Sequence, residues 1–251
     1  MVRVRIIGPG RAGTSLARAL TAAGWDVAPL LGRADDPAPA ARGVDLLVIA
    51  TPDDRVRDVA RAVDPVPDTV VAHLAGSLGL TPLAPHRRRA AVHPLVALPT
   101  PAFGARRLVG SWFAVAGDPL AHDVVRALRG RWFEVADADR PVYHAAAVIA
   151  SNHLVALMGQ VERLSEAVGV PFEAYVDLAR ATLDNVAALG PATGLTGPAA
   201  RGDEATIRRH LRALPADERR TYRSLADAAR RLAQQPPPVT QTPAGRREGT
   251  R

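Results

Sequence analysis

Apolar positions in the first half of the chain fall into short runs separated by stretches of helical spacing. Val2, Val4, Ile6 and Ile7 make the first run, and residues 14–20 then place Leu16 and Leu20 on one helical face. Gly24 ends that helix, and residues 25–31 read as a second strand. Residues 44–50 are almost continuously apolar, the pattern of a strand covered on both faces. A helix to Val63, strands at 69–74, 90–93 and 112–116, a helix at 119–129 and a strand at 132–135 complete the series. Strands that alternate with helices specify a mostly parallel, doubly wound α/β domain. From Asp137 the period changes. Residues 143–169 carry Val148, Val155, Met158, Val161, Leu164 and Val168 at helical spacing, which predicts a long, largely buried helix. Further helices are predicted at 171–189, 203–214 and 216–234, with Pro171 in the first turn of its helix and Asp203 as an N-cap. The expected organisation is an α/β domain over 1–136, an all-helical domain over 137–235 and a disordered tail over 236–251, which opens on three prolines.

The turn after the first strand is Gly8-Pro9-Gly10-Arg11-Ala12-Gly13. Gly-x-Gly-x-x-Gly between a strand and a helix is the dinucleotide fingerprint: a tight turn, a close approach to a pyrophosphate, and a close helix–strand contact. The first domain is thus expected to be Rossmann-like. A strand ending in Leu31-Gly32-Arg33, with Asp35 and Asp36 beyond it, favours NADP over NAD, Arg33 contacting the 2′-phosphate. A surface arginine is the alternative. Thr51 and Pro52, at the carboxyl end of the 44–50 strand, should border the cofactor. Asp53 beside them reads first as a helix N-cap.

Composition narrows the chemistry. The 251 residues carry a formal charge of +7 and no cysteine, which rules out disulfides, thiol nucleophiles and thiolate metal centres. No metal is expected. The chain holds no lysine, so arginine carries all 32 of its cationic side chains. Arginine binds carboxylate and phosphate but does not give up its proton near neutrality, which leaves acid–base work to His, Tyr, Asp and Glu. The arginine pairs are scattered without interleaved aromatics, so nucleic acid is not an expected partner. No apolar run reaches 18 residues, and the chain opens on a strand, so a cytoplasmic protein without a membrane partner is expected.

Three polar groupings stand out. Ser77 and His93 each lie at the end of a predicted strand, and would share the cofactor side of the sheet if those strands are parallel to the first. His93 is the natural proton donor to a forming alkoxide, or else a hydrogen-bonded residue before Pro94. Tyr143-His144 and Ser151-Asn152-His153 form the second grouping, with 144, 148 and 152 on one face of an unbroken helix. Polar groups on an apolar helix imply a cleft or a satisfied core network. The third is Thr182, Asp184 and Asn185, with Arg201 available for a carboxylate and Asn185 placed to face Asn152.

Together with Ala75-Gly76-Ser77, Val92-His93-Pro94-Leu95, Thr182-Leu183-Asp184-Asn185 and Leu195-Thr196-Gly197-Pro198, these motifs resemble bacterial proteins with a Rossmann-like domain followed by domain of unknown function 2520. That family is similar to the 6-phosphogluconate dehydrogenase-like group, which includes ketopantoate, pyrroline-5-carboxylate and prephenate oxidoreductases. The resemblance implies hydride transfer from NADPH to a small 2-oxo acid, with a cyclic imine or a non-catalytic NADP-binding role as alternatives. His93 with Ser77 would act on the carbonyl, and Asn152, His153 and Asn185 would contact substrate. The lysine that related hydroxyacid dehydrogenases carry one turn before the asparagine is Val148 here. The helical domain is the expected seat of a homodimer.

Overall fold

The computed structural model describes residues 1–234. The predicted tail lies outside them. The described residues fall into two compact units that divide between Leu154 and Val155. The change of sequence texture falls at Asp137, whereas the first unit keeps the helical segment up to Leu154.

The first unit is a seven-stranded sheet in the order β2-β1-β3-β4-β5-β6-β7. Its elements are β1 (Arg3–Ile7), α1 (Arg11–Ala22), β2 (Asp26–Val27), β3 (Leu46–Ile49), α2 (Val56–Ala62), β4 (Val70–His73), β5 (Arg88–Pro94), α3 (Pro101–Leu108), β6 (Trp112–Gly117), α4 (Leu120–Ala127) and β7 (Arg131–Glu134). β1 to β5 pair in parallel, and β6 joins β5 antiparallel. The mostly parallel α/β architecture is the one expected. Alternation divides the strand side chains between two cores: Val4, Ile6, Leu46 and Val48 meet Leu16 and Leu20 of α1, while Ile7, Leu47 and Ile49 meet Val56 and Ala60 of α2. This explains the continuous apolar run of β3, all of it buried.

The predicted second strand is cut to two residues. Asp26 and Ala28 donate to the carbonyls of Val2 and Val4, but the next donor to β1 is Leu31, to Ile6, so one extra residue is inserted beside Pro29 and the regular ladder ends. Register then matters for function. Ile7 pairs with Ile49, Ile49 with His73, and His73 with Ala91, so β1, β3, β4 and β5 all end on one edge.

After β7, α5 (Arg140–Val148) runs into a π turn at Ile149–His153 and on into α6 (Leu154–Val168). The predicted single helix is therefore interrupted. The Ser151 hydroxyl donates to the Ala147 carbonyl at 2.8 Å, and the wider turn inserts one residue into the helical register. Residues 144, 148 and 152 thus do not share a regular face. Nor is the segment largely buried: Ile149 is 59% exposed and Val155 72%. Helical spacing reports an apolar face without reporting what covers it. Residues 137–168 include an 18-residue window of mean hydropathy 1.3, none of it buried.

The second unit continues through α7 (Phe172–Leu189), a short α8 (Pro191–Gly194), α9 (Glu204–Ala213) and α10 (Arg219–Ala233). Pro171 is the N-cap of α7 and not in its first turn. Asp203 caps α9 as expected, accepting from the Thr206 N–H at 3.0 Å. Glu218 ties α6 to the start of α10 by accepting from Arg163 at 2.7 Å. Among the described residues of this unit, Ile207 is the one buried apolar side chain.

Candidate active site

The glycine turn opens the edge on which the parallel strands end. Gly8 adopts φ +110°, and a Cβ there would lie 2.6 Å from the Ala50 carbonyl oxygen. A Cβ on Gly13 would collide with the Gly8 carbonyl oxygen, so α1 reaches the turn only because residue 13 has no side chain. Gly10 is the N-cap of α1, and a Cβ on it would meet nothing within 4 Å. The N–H groups of Arg11, Ala12 and Gly13 have no acceptor within the helix, and no acidic side chain sits in that first turn. Open space in front of free amides at a helix N-terminus fits the pyrophosphate of a dinucleotide. Thr51 agrees with this, because its Oγ1 is buried beside the turn with no hydrogen-bond partner.

Arg33 is exposed just beyond. The Asp35 carboxylate, expected to be displaced, instead folds back to accept from the Gly32 N–H at 2.7 Å.

Two hydrogen-bonded pairs occupy the same edge. Ser77 Oγ donates to Asp53 Oδ2 at 2.8 Å. Asp53 makes no side-chain cap, so its expected N-cap role gives way to this bond across 24 residues. The second pair is His93 Nδ1 with the Tyr143 hydroxyl, 2.7 Å apart. Gly76 lies between the two pairs. A Cβ on it would stand 2.5 Å from His144 Cδ2 and 2.8 Å from His93 Nε2, so both rings close over the glycine. The rings of His93 and His144 meet edge to face at 5.7 Å.

The loop that carries Gly76 and Ser77 is braced by residues that sequence reasoning missed. His73, fully buried, accepts from the Ala75 N–H and faces the Gly79 carbonyl at 3.0 Å. Nδ1 being the acceptor, Nε2 carries the proton and donates to Gly79. Asp137 holds the far end by accepting from the Leu80 N–H at 3.0 Å. A histidine inside the apolar run of β4 was the available signal for His73. Arg140, in the first turn of α5, is completely buried. Nothing in its sequence surroundings marks it.

Asn152 and His153 are exposed on the π turn, so they do not need the buried polar partners expected of them. The Asn152 side-chain amide lies 2.9 Å from Ser151 Oγ. Asn185 and Arg201 are exposed in the second unit. Neither Asn152 nor His153 is hydrogen-bonded to the His93–Tyr143 pair.

Burial pushes the His93 imidazole down to about 4, helped by the nearby His144 and Arg140 and opposed by Asp53. His93 is therefore neutral at pH 7, not the part-protonated acid expected from its type. His73 is lowered in the same direction, first by burial. The consequence for stability has a definite sign. Between pH 6.5 and about 4 the unfolded chain binds a proton at His93 that the folded chain refuses, so stability is full above 6.5 and falls as pH drops through that window, and His73 acts in the same sense. At roughly 1.4 kcal/mol per pKa unit, His93 alone accounts for about 3 kcal/mol. Urea unfolding from pH 7.5 to 4.5 checks this, and His93→Gln should flatten the slope. A wild-type stability independent of pH across that range would contradict it.

Residues 113–229 match the family model described as Domain of unknown function (DUF2520). The chain's fold is that of a protein from Bacteroides fragilis assigned as an NADP oxidoreductase, with a TM-score of 0.74 at 21% identity over 92% of this chain and 98% of that one. A protein from Thermotoga maritima aligns with TM-score 0.68 at 20% identity, again over 92% and 98% of the two chains. Pyrroline carboxylate reductase from Plasmodium falciparum, with NADP bound, aligns with TM-score 0.60 at 12% identity over 92% and 98%. At such identities the likeness establishes the fold. No curated protein matches the chain in sequence.

Proposed function

We propose that this protein is an NAD(P)H-dependent reductase, NADPH being the preferred donor, that reduces the C=O of a small 2-oxo acid such as ketopantoate. One observation carries the reading. The parallel register brings the glycine turn, the Ser77–Asp53 pair and the His93–Tyr143 pair to a single sheet edge, where ligands of open α/β sheets bind. The free amides of residues 11–13 hold the pyrophosphate, Thr51 and Pro52 border it, and Arg33 takes the 2′-phosphate. A reduced nicotinamide bound there supplies a hydride. Ser77 and His93 polarise the carbonyl, and Asn152 and His153 are assigned to substrate contact. The names of the similar folds support the class of reaction.

A neutral His93 also favours a second reading, reduction of a cyclic imine, because an iminium arrives already protonated and asks no acid of the protein. NADPH oxidation with a panel of 2-oxo acids and cyclic imines separates the two. Turnover of 2-oxo acids alone supports the first, and turnover of imines alone the second. NADPH bound without turnover of either overturns both.

We further infer that the working form is a homodimer assembled through the helical unit, whose α7 and α10 contain no buried residue.

A further inference from the structure

Carbonyl reduction consumes one proton for each hydride. His93, neutral and half-buried, has one proton on its ring and cannot surrender it at neutral pH without receiving another. The group that can supply one is bonded to it. The Tyr143 hydroxyl lies 2.7 Å from His93 Nδ1 and has no other hydrogen-bond partner among the described residues, and a ring that carries its proton on Nε2 accepts from that O–H at Nδ1. Gly76 leaves the Nε2 side of the ring free of a side chain, since a Cβ there would stand 2.8 Å from that nitrogen.

Arg140 completes the arrangement three residues before Tyr143. Its side chain is fully buried, none of its three guanidinium nitrogens has a hydrogen-bond partner, and the carboxylate of Asp137 is 3.7 Å away, beyond direct hydrogen bonding. A buried guanidinium left this bare is an expensive feature for a fold to keep. Burial pushes the Tyr143 phenol up to about 12, and the Arg140 cation opposes that rise.

We propose that Tyr143 is the proton source for the reduction, that its proton passes through His93, and that Arg140 is the fixed charge that stabilises the tyrosinate left behind. This rests on the reductase reading above. The substrate carbonyl carbon accepts a hydride from a reduced nicotinamide, and the C=O π pair moves to oxygen. That oxygen takes the proton from His93 Nε2, while Nδ1 takes the proton of the Tyr143 hydroxyl. The imidazole changes tautomer and never becomes a cation. After product leaves, a proton taken up from bulk solvent goes to Nε2 as Nδ1 returns its proton to the tyrosinate, which restores both groups and accounts for the one proton consumed per turnover. Tyr143 and His93 touch the reacting atoms or their relay, and Arg140 is a positioning charge.

Two measurements test the relay. Nitrogen-15 NMR of the full chain reads the His93 tautomer without any turnover: the wild type should carry its proton on Nε2, and Tyr143→Phe should populate the Nδ1 form. Phenylalanine keeps the edge-to-face ring contacts with His93 and Phe133, at 5.6 and 5.7 Å, and removes the hydroxyl. In kinetics, Tyr143→Phe should lower kcat by about 100-fold or more and leave both KM values within about threefold. Arg140→Met should lower kcat while leaving the melting temperature unchanged or higher, the reverse of what a structural arginine gives. A wild-type proton on Nδ1 overturns the relay, as does a Tyr143→Phe enzyme within about threefold of the wild-type kcat. Should that variant not fold, the wild-type tautomer still decides. A wild type that shows the Nε2–H tautomer and reduces no carbonyl sinks the reductase reading and the relay with it.

Discussion

Gly13→Ala is expected to weaken NADPH binding by about 100-fold or more, close to 3 kcal/mol, and to destabilise the first unit by roughly 2 kcal/mol. Helix propensity alone predicts the opposite for stability, since alanine inside a helix is favoured over glycine by about 0.5–1 kcal/mol. Geometry decides the sign. The added Cβ would collide with the Gly8 carbonyl oxygen and stand 3.1 Å from the Ala50 Cβ, so α1 must back away from the turn. That helix is anchored by Leu16 and Leu20, 2% and 0% exposed, and its displacement loosens the core as it withdraws the amides of residues 11–13. Gly10→Ala provides the contrast. Its Cβ meets nothing within 4 Å, so the fold should keep its stability while the ligand loses space. Isothermal titration with NADPH, paired with thermal unfolding, checks both. A Gly13→Ala protein with wild-type NADPH affinity would show that this turn does not hold the pyrophosphate.

How far such features are legible in a sequence depends on the range of the interaction behind them. The run of β3 and the glycine turn are local patterns with one physical meaning each, and the sheet forms as they specify. His93 and Ser77 were legible for a related reason, because a polar residue at the end of a parallel strand has one edge to occupy. Pro29 carried its own warning, since proline in a strand marks an edge or a bulge. What escaped was set by tertiary contact. Asp53 has the composition of an N-cap, and only the fold brings Ser77 to it. His93 has an ordinary imidazole until burial strips its second proton. Gly76 looks like a spacer until two histidine rings close over it. The π turn leaves no hydrophobic signature, because one extra residue changes the direction of side chains and not their polarity.

The helical half should stand or fall with self-association. Val155, Val168, Leu178, Leu183 and Leu189 are each more than half exposed, on a unit whose described residues bury only Ile207 among apolar side chains. Covering a fully exposed Val or Leu side chain is worth about 1.5–3 kcal/mol, and these five together expose about three side chains' worth, so roughly 5–9 kcal/mol is at stake, comparable to a whole domain's stability. A second copy presents the same exposed residues and covers both sets at once. A bilayer is the competing cover for the apolar window within 137–168, but Leu178 to Leu189 alternate with Asp177, Arg180 and Asp184 on α7, which suits a protein surface better than lipid. Sedimentation should therefore find a dimer, and the melting temperature should rise with protein concentration. Leu178→Asp is expected to yield monomer and to lower the melting temperature by about 5 °C or more, since an unpaired carboxylate cannot be buried in that face. A wild type that stays monomeric at micromolar concentration with a concentration-independent melting temperature would overturn the dimer, and partition into anionic lipid vesicles would assign the exposed face to a membrane instead.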